Sequence, residues 1–237
     1  MIHASDTAVV MPVFNEESTV GSVIDAVRAQ FDGPLVVVDD GSTDGTPGVL
    51  AMRRDVEVIT LGDNCGYGCA LIRGFRWAAD AGVERLITMD CDGQHEPRHI
   101  GQFLDALGAD GSPDIVSGSR YLPQSGSTGQ APPQRREVNR RVTTEINEVT
   151  GWTLTDAFCG FKGYHVSALS RLTLSEPGYA MPIELWAKAW KAGRSVVEVP
   201  VERIYCDHER SFGEHLDDPE ARFAYYMDVW HAALEEA

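Results

Sequence analysis

An α/β fold with a mainly parallel central sheet flanked by helices is what this sequence predicts, and three observations predict it. Short β-branched runs alternate with helix-length amphipathic stretches through the first half of the chain, which is the order a parallel sheet with both faces covered requires. Polar and acidic residues gather directly after those runs, and such sheets bind ligands beyond the carboxyl ends of their strands. At 237 residues and 43% hydrophobic content the chain can bury a sizeable core without covalent staples.

The elements follow in order. TAVVMPV (7–13) reads as the first strand, and EESTVGSVIDAVRAQF (16–31) as an amphipathic helix. PLVVVDD (34–40) is the second strand, followed by a short helix over 44–53. VEVITL (56–61) is the third strand and precedes a helix over 67–81. RLITMD (85–90) and DIVSGS (114–119) are the fourth and fifth strands, with a helix after Pro97 between them. Residues 122–133, LPQSGSTGQAPP, are rich in Gly, Ser and Pro and read as a mobile loop. A helical stretch with four arginines follows, QRREVNRRVTTEINEVTG (134–151). Another helix is expected near MPIELWAKAWKAG (181–193), then a strand VVEVPV (196–201), a loop over 203–215, and a closing helix from Pro219 whose aromatic residues face the core.

Charge and composition exclude several classes of function. Thirty-six acidic against 20 basic residues give a net charge of -16, a field that repels nucleic acid and anionic lipid at long range. An anionic substrate therefore needs a local group of Arg or Lys, and Arg135, Arg136, Arg140 and Arg141 offer one. Five cysteines, odd in number and without paired CxxC sets, point to free thiols in a reducing cytoplasm. No run is apolar enough to span a membrane, and MIHASDTAVV lacks the features of a signal peptide.

The strand ends carry the chemistry. They lead to Pro12, Asn15 and Glu16; to Asp39, Asp40 and Ser42; to Asp90, Asp92 and Gln94; and to Ser119 and Arg120. Ser42 and Asp44 have the composition of a turn and helix cap. Asp90 and Asp92 differ, because two carboxylates one residue apart repel unless a cation lies between them.

Taken together, MPVFNEE, VVVDDGSTDGT, NCGYGCALIRGF, MDCDGQH, VSGSRY, TDAFCGFKGY, GYAMPIELWAKAWKAGRSVVEVPV and RSFG resemble the family-2 glycosyltransferases of GT-A fold. Within that family they resemble the dolichol- and polyprenyl-phosphate hexosyltransferases. The resemblance implies one GT-A domain over 1–237, with a nucleotide-sugar-binding half over 1–120 and an acceptor half over 121–237. It implies donor contacts at Pro12, Phe14, Glu16, Asp40, Asp90 and Arg210. It also implies a Mg²⁺ or Mn²⁺ ion at Asp90, Asp92 and Gln94, where hard oxygen ligands suit such a cation. Arg120, Arg135, Asn139 and Glu184 fall at acceptor positions, Asn139 standing where the family has a hydroxyl residue. Lys162 and Cys159 lie in the motif that contains Asp156, and His208 or Arg210 replaces a common Lys near Phe212.

The implied reaction is inverting transfer of a hexose from a UDP- or GDP-sugar to a phosphate such as polyprenyl phosphate. Asp92, Arg120 and Asp156 are its candidate catalytic residues. The implied location is the cytoplasm, with contact at the inner membrane face where a lipid acceptor would be met. A second copy of the chain is a partner the sequence leaves open. The same residues support transfer to a hydroxyl, with Asp156 as base, or a non-catalytic nucleotide-sugar binder. A nucleotidyltransferase is disfavoured, because MPVFNEE is acidic where a Gly-rich basic phosphate loop is needed. Inversion needs no enzyme nucleophile, so no covalent role falls to any Ser or Cys.

Overall fold

A computed structural model of the chain describes residues 6–204 and 216–236. Its centre is a seven-stranded sheet in the order β3-β2-β1-β4-β7-β5-β8. These strands are β1 (Thr7–Val13), β2 (Leu35–Asp39), β3 (Glu57–Thr60), β4 (Arg85–Thr88), β5 (Ile115–Ser119), β7 (Lys162–His165) and β8 (Val196–Pro200). β1 pairs in parallel with β2 and β4, β2 with β3, and β5 with β8. β7 is antiparallel to both of its neighbours, β4 and β5. Six strands thus run one way and one runs against them.

Alternation along each strand divides the core in two. Ala8, Val10, Val36 and Leu86 face a layer built by α3 (Tyr67–Ala81), α5 (Pro133–Thr150), α7 (Met181–Lys191) and α8 (Pro219–Glu235). Val9, Met11, Val37 and Ile87 face the opposite layer of α1 (Val20–Arg28), α2 (Thr46–Ala51) and α4 (Ile100–Gly108). In α1 the buried residues are Val20, Val23, Ile24 and Val27, a stripe at helical spacing. α3 is bounded by glycines: Gly66 at φ 105 before it and Gly82 at φ 71 after it, the latter a left-handed stop that a side chain would strain. α8 begins at Asp218, whose carboxylate accepts from the Ala221 N–H, with Pro219 in the first turn.

The five N-terminal strands and the helix over 67–81 lie where expected. The helix expected over 44–53 is shorter, because Asp44 accepts from the Thr46 N–H and starts it there. Pro97–His99 forms a 3-10 turn before α4. The loop over 122–133 contains β6 (Ser127–Thr128), which pairs in parallel with β9 (Arg203–Ile204). β7 was not expected, since Lys-Gly-Tyr-His lacks a β-branched run; its backbone completes the ladders of both neighbours instead. Gly163 packs closely there: a Cβ would stand 2.9 Å from Leu107 Cδ1, which would have to shift. α6 (Val166–Leu169) follows β7 directly. The four cysteines among the described residues are free thiols.

Candidate active site

Strand order sets the layout. Across the carboxyl edge of the sheet, β2 delivers Asp40, β1 delivers Pro12 to Glu16, β4 delivers Asp90 and Asp92, and β5 delivers Arg120. β7 runs the other way, so its approach segment, with Asp156 and Gly160, reaches the same edge. All of these except Asn15, Asp156 and Gly160 border a cavity of about 340 Å³, which Gln94, Arg135 and Asn139 also line.

Beyond β1 and β2 two loops interlock. Asn15, at φ 55, accepts from the N–H groups of Thr43 (2.8 Å) and Asp44 (3.3 Å), and its own N–H donates to Ser42 Oγ. Asp44 also accepts from the Glu17 N–H, so Ser42 and Asp44 tie the two loops together, while the N-cap of α2 is Gly45. Phe14 is left 42% exposed at the rim. Asp40 is buried, and its two oxygens accept from the N–H groups of Cys65 and Gly66, each at 2.8 Å, at the start of α3. Burial still holds its pKa above the ordinary 3.8, against those two hydrogen bonds.

The acidic pair is held from three directions. The Asp90 N–H donates to His95 Nδ1 at 2.9 Å, and the buried ring rests against Phe161. Tyr67 donates its hydroxyl to Asp90 Oδ1 at 3.1 Å. Gly160 closes the third side, where a Cβ would lie 2.6 Å from Asp90 Oδ2. Asp92 Oδ1 accepts from the Gln94 N–H at 2.9 Å. Among the described residues no three His, Cys, Asp or Glu side chains converge into a self-sufficient metal cage. Two cavity-facing carboxylates and an amide nevertheless fit a hard cation that shares its coordination with a diphosphate.

Arg120 donates Nε and Nη2 to the two oxygens of Asp156, at 2.7 and 3.0 Å. Asn139 Nδ2 donates to the same carboxylate at 2.7 Å and is itself fixed by the Thr143 hydroxyl. Burial works against the Asp156 charge, but Arg120 and the Asn139 hydrogen bond together outweigh it and the pKa lies below 3.8. Arg135 lines the cavity, whereas Arg136 stands over the Tyr121 ring at 5.4 Å. Arg140 pairs with Glu137 and Arg141 with Glu220, as a solvated helix face would.

Two of the expected residues stand off the cavity. Asp156 is 0% exposed, its carboxylate bound by Arg120, and it does not line the cavity. Glu184 also lies off the cavity; it accepts from the N–H groups of Ser175 and Glu176 and pairs with Lys188. Lys162, likewise buried, donates to the Cys159 carbonyl. Arg210, with His208 and Phe212, lies outside the described residues.

Sequence reasoning missed Tyr67, Tyr179, Arg222 and Tyr226, which all line the cavity. Tyr67 and Tyr179 stack at 6.0 Å. Arg222 is only 4% exposed; burial and the nearby Arg135 draw its pKa down. A signal existed: Arg222, Tyr226, Trp230 and Ala233 form the buried stripe of α8, and a charge at the head of such a stripe calls for a reason.

Comparison with known proteins fits this geometry. The family described as Glycosyl transferase family 2 matches residues 8–173. A polyprenol monophosphomannose synthase from Mycolicibacterium smegmatis is 33% identical over 204 residues, covering 82% of this chain and 76% of that protein. An undecaprenyl-phosphate mannosyltransferase from Micrococcus luteus is 31% identical over 216 residues, covering 86% and 84%. The crystal structure of glucosyl-3-phosphoglycerate synthase from Mycobacterium tuberculosis, in complex with Mn²⁺, uridine diphosphate and phosphoglyceric acid, superposes with a TM-score of 0.74. It covers 98% of this chain and 80% of that one at 21% identity, a likeness of fold.

Proposed function

Since the chain belongs to glycosyl transferase family 2 and is a glycosyltransferase of GT-A fold, we propose that it transfers a hexose, with inversion, from a nucleoside diphosphate sugar to a polyprenyl phosphate. One observation carries the reading: Arg120, Arg135 and Arg222 line the same cavity as Asp90 and Asp92, in a chain of net charge -16. Three guanidinium groups suit an anionic acceptor. The names of the two mannosyltransferase relatives supply the lipid phosphate as its class.

In this reading Phe14, Glu16 and Asp40 border the nucleoside. Asp90 and Asp92, with Gln94 beside them, would hold Mg²⁺ or Mn²⁺, ions present in solved structures of this fold. When bound, such an ion supplies positive charge to the departing diphosphate. Tyr67, His95 and Gly160 keep Asp90 in place for that task. Arg120, Arg135 and Arg222 align the acceptor phosphate behind the anomeric carbon, so that its oxygen attacks opposite the leaving group. A phosphate is already ionised near neutral pH, so this chemistry proceeds without a base and accords with Asp156 being enclosed by Arg120 and Asn139. Among the described residues no helix is long and apolar enough to cross a membrane. In this reading the lipid is met at the inner membrane face.

The test is incubation with labelled UDP- and GDP-hexoses, Mg²⁺ or Mn²⁺, and polyprenyl phosphate. The expected products are nucleoside diphosphate and a lipid-linked sugar of inverted anomeric configuration. Asp92→Ala should abolish turnover, and Arg222→Ala should raise the acceptor KM about tenfold, the loss of one charged hydrogen bond. Release of pyrophosphate, or tight donor binding without any turnover, would overturn the reading.

A further inference from the structure

Thr155 and Asp156 lie in an irregular turn, and a turn that aims a buried carboxylate at Arg120 must itself be fixed. Its backbone donors are satisfied almost wholly by side chains. The Leu154 N–H donates to Asn147 Oδ1, the Ala157 N–H to Thr143 Oγ1, and the Phe158 N–H to Asp156 Oδ1. The two central donors go to one group, Glu198 on β8. Its Oε1 accepts from the Asp156 N–H at 3.0 Å, and its Oε2 accepts from the Thr155 N–H at 2.9 Å and the Thr155 hydroxyl at 2.7 Å.

An ionised carboxylate can only accept, so the direction of the next bond is set. Thr155 spends its single hydroxyl proton on Glu198. The 2.5 Å contact between Thr155 Oγ1 and Ser119 Oγ must therefore run from Ser119 to Thr155. Ser119 Oγ in turn accepts from the Tyr121 N–H at 3.1 Å. Glu198 thus reaches Arg120 along two routes: through Asp156, which holds the guanidinium, and through Ser119 and Tyr121, which flank Arg120 in the chain. The ladder between β5 and β8, with Ser117 opposite Glu198, fixes the register that makes both routes meet. Glu198 does not line the cavity.

We propose that Glu198 is a positioning residue for the acceptor: it aims Arg120 through Thr155 and Asp156. This rests on the reading of Arg120 as an acceptor-phosphate contact. The decisive experiment is a double-mutant cycle on the purified full chain, with acceptor KM, donor KM and thermal midpoint measured for each variant. Glu198→Gln preserves size but turns an amide NH₂ toward donors. It should raise the acceptor KM about tenfold, in line with losing hydrogen bonds to a charged group, and leave the donor KM unchanged. In an Arg120→Ala background the same substitution should add nothing to the acceptor KM, because its effect passes through Arg120. Thr155→Val, which keeps Glu198 but cuts the hydroxyl route, should shift the acceptor KM in the same direction and serves if Glu198→Gln does not fold.

The outcomes separate cleanly. If Arg120→Ala itself leaves the acceptor KM untouched, the acceptor reading fails and the inference falls with it. If Arg120→Ala raises it but Glu198→Gln or Thr155→Val does not, only the inference is overturned. An equal effect of Glu198→Gln with and without Arg120 would make Glu198 a general structural brace and would overturn it too.

Discussion

A methyl group at position 160 would stand 2.6 and 2.8 Å from the oxygens of Asp90 and 2.8 Å from the Tyr67 hydroxyl. Asp90 has no retreat, because its backbone is tied to His95. Gly160→Ala should therefore turn the carboxylate out of position while the fold survives. The expected result is at least a tenfold loss of turnover, on the scale of a misplaced charged contact, with more Mg²⁺ or Mn²⁺ needed for half-maximal rate. An unchanged metal titration would contradict it. Position 160 also shows how far single residues were legible. Asp90, Asp92 and Gln94 are neighbours in sequence, so their meeting could be read directly. The meeting of Arg120, Asn139 and Asp156 spans two loops and a helix. Resemblance supplied the identities, but whether Asp156 faced the substrate or Arg120 depended on burial, which local sequence does not encode.

At the scale of elements, the entry to α3 is the tightest junction beside the site. A Cβ on Gly68 would lie 2.2 Å from the Glu176 carbonyl oxygen, and one on Gly66 would lie 2.4 Å from that of Pro177. The Cys69 N–H donates to the Pro177 carbonyl, and Glu184 pins the segment from the other side. Gly68→Ala should push this backbone outward and cost about 1–3 kcal/mol, as overpacking does. The measurement is the denaturant midpoint, and an unshifted midpoint would refute the close approach. The bounds of α3 were readable because Gly66 and Gly82 punctuate a periodic stretch. β7 was not, because its four residues carry no strand pattern and take their conformation from ladders on both sides. Tertiary context outweighs propensity for so short a strand.

For the molecule as a whole, acidity is the informative variable. Burial opposes the charge on Glu184, but Lys188 and the Glu176 and Ser175 N–H groups hold its pKa below 4.5, and Arg120 holds that of Asp156 below 3.8. Both folded values lie below the ordinary ones. Their stabilisation is therefore complete above about pH 4.5 and is lost as pH falls through the folded values. Asp40 and Glu198, raised by burial, act with the opposite sign. The thermal midpoint should fall on acidification below about pH 4.5, and Glu184→Gln should flatten that fall. An identical slope in the variant would dismiss the Glu184 share. Strand order has a last consequence, for synthesis rather than catalysis. β4 and β5 are never neighbours, since β7 stands between them and is made more than forty residues after β5 ends. A nascent chain that has emerged only as far as residue 120 has no partner for the β7-facing edge of β4, and its β5 cannot dock. Joining β5 to the sheet must wait for β7, and a fragment cut at residue 120 would expose strand edges that invite aggregation.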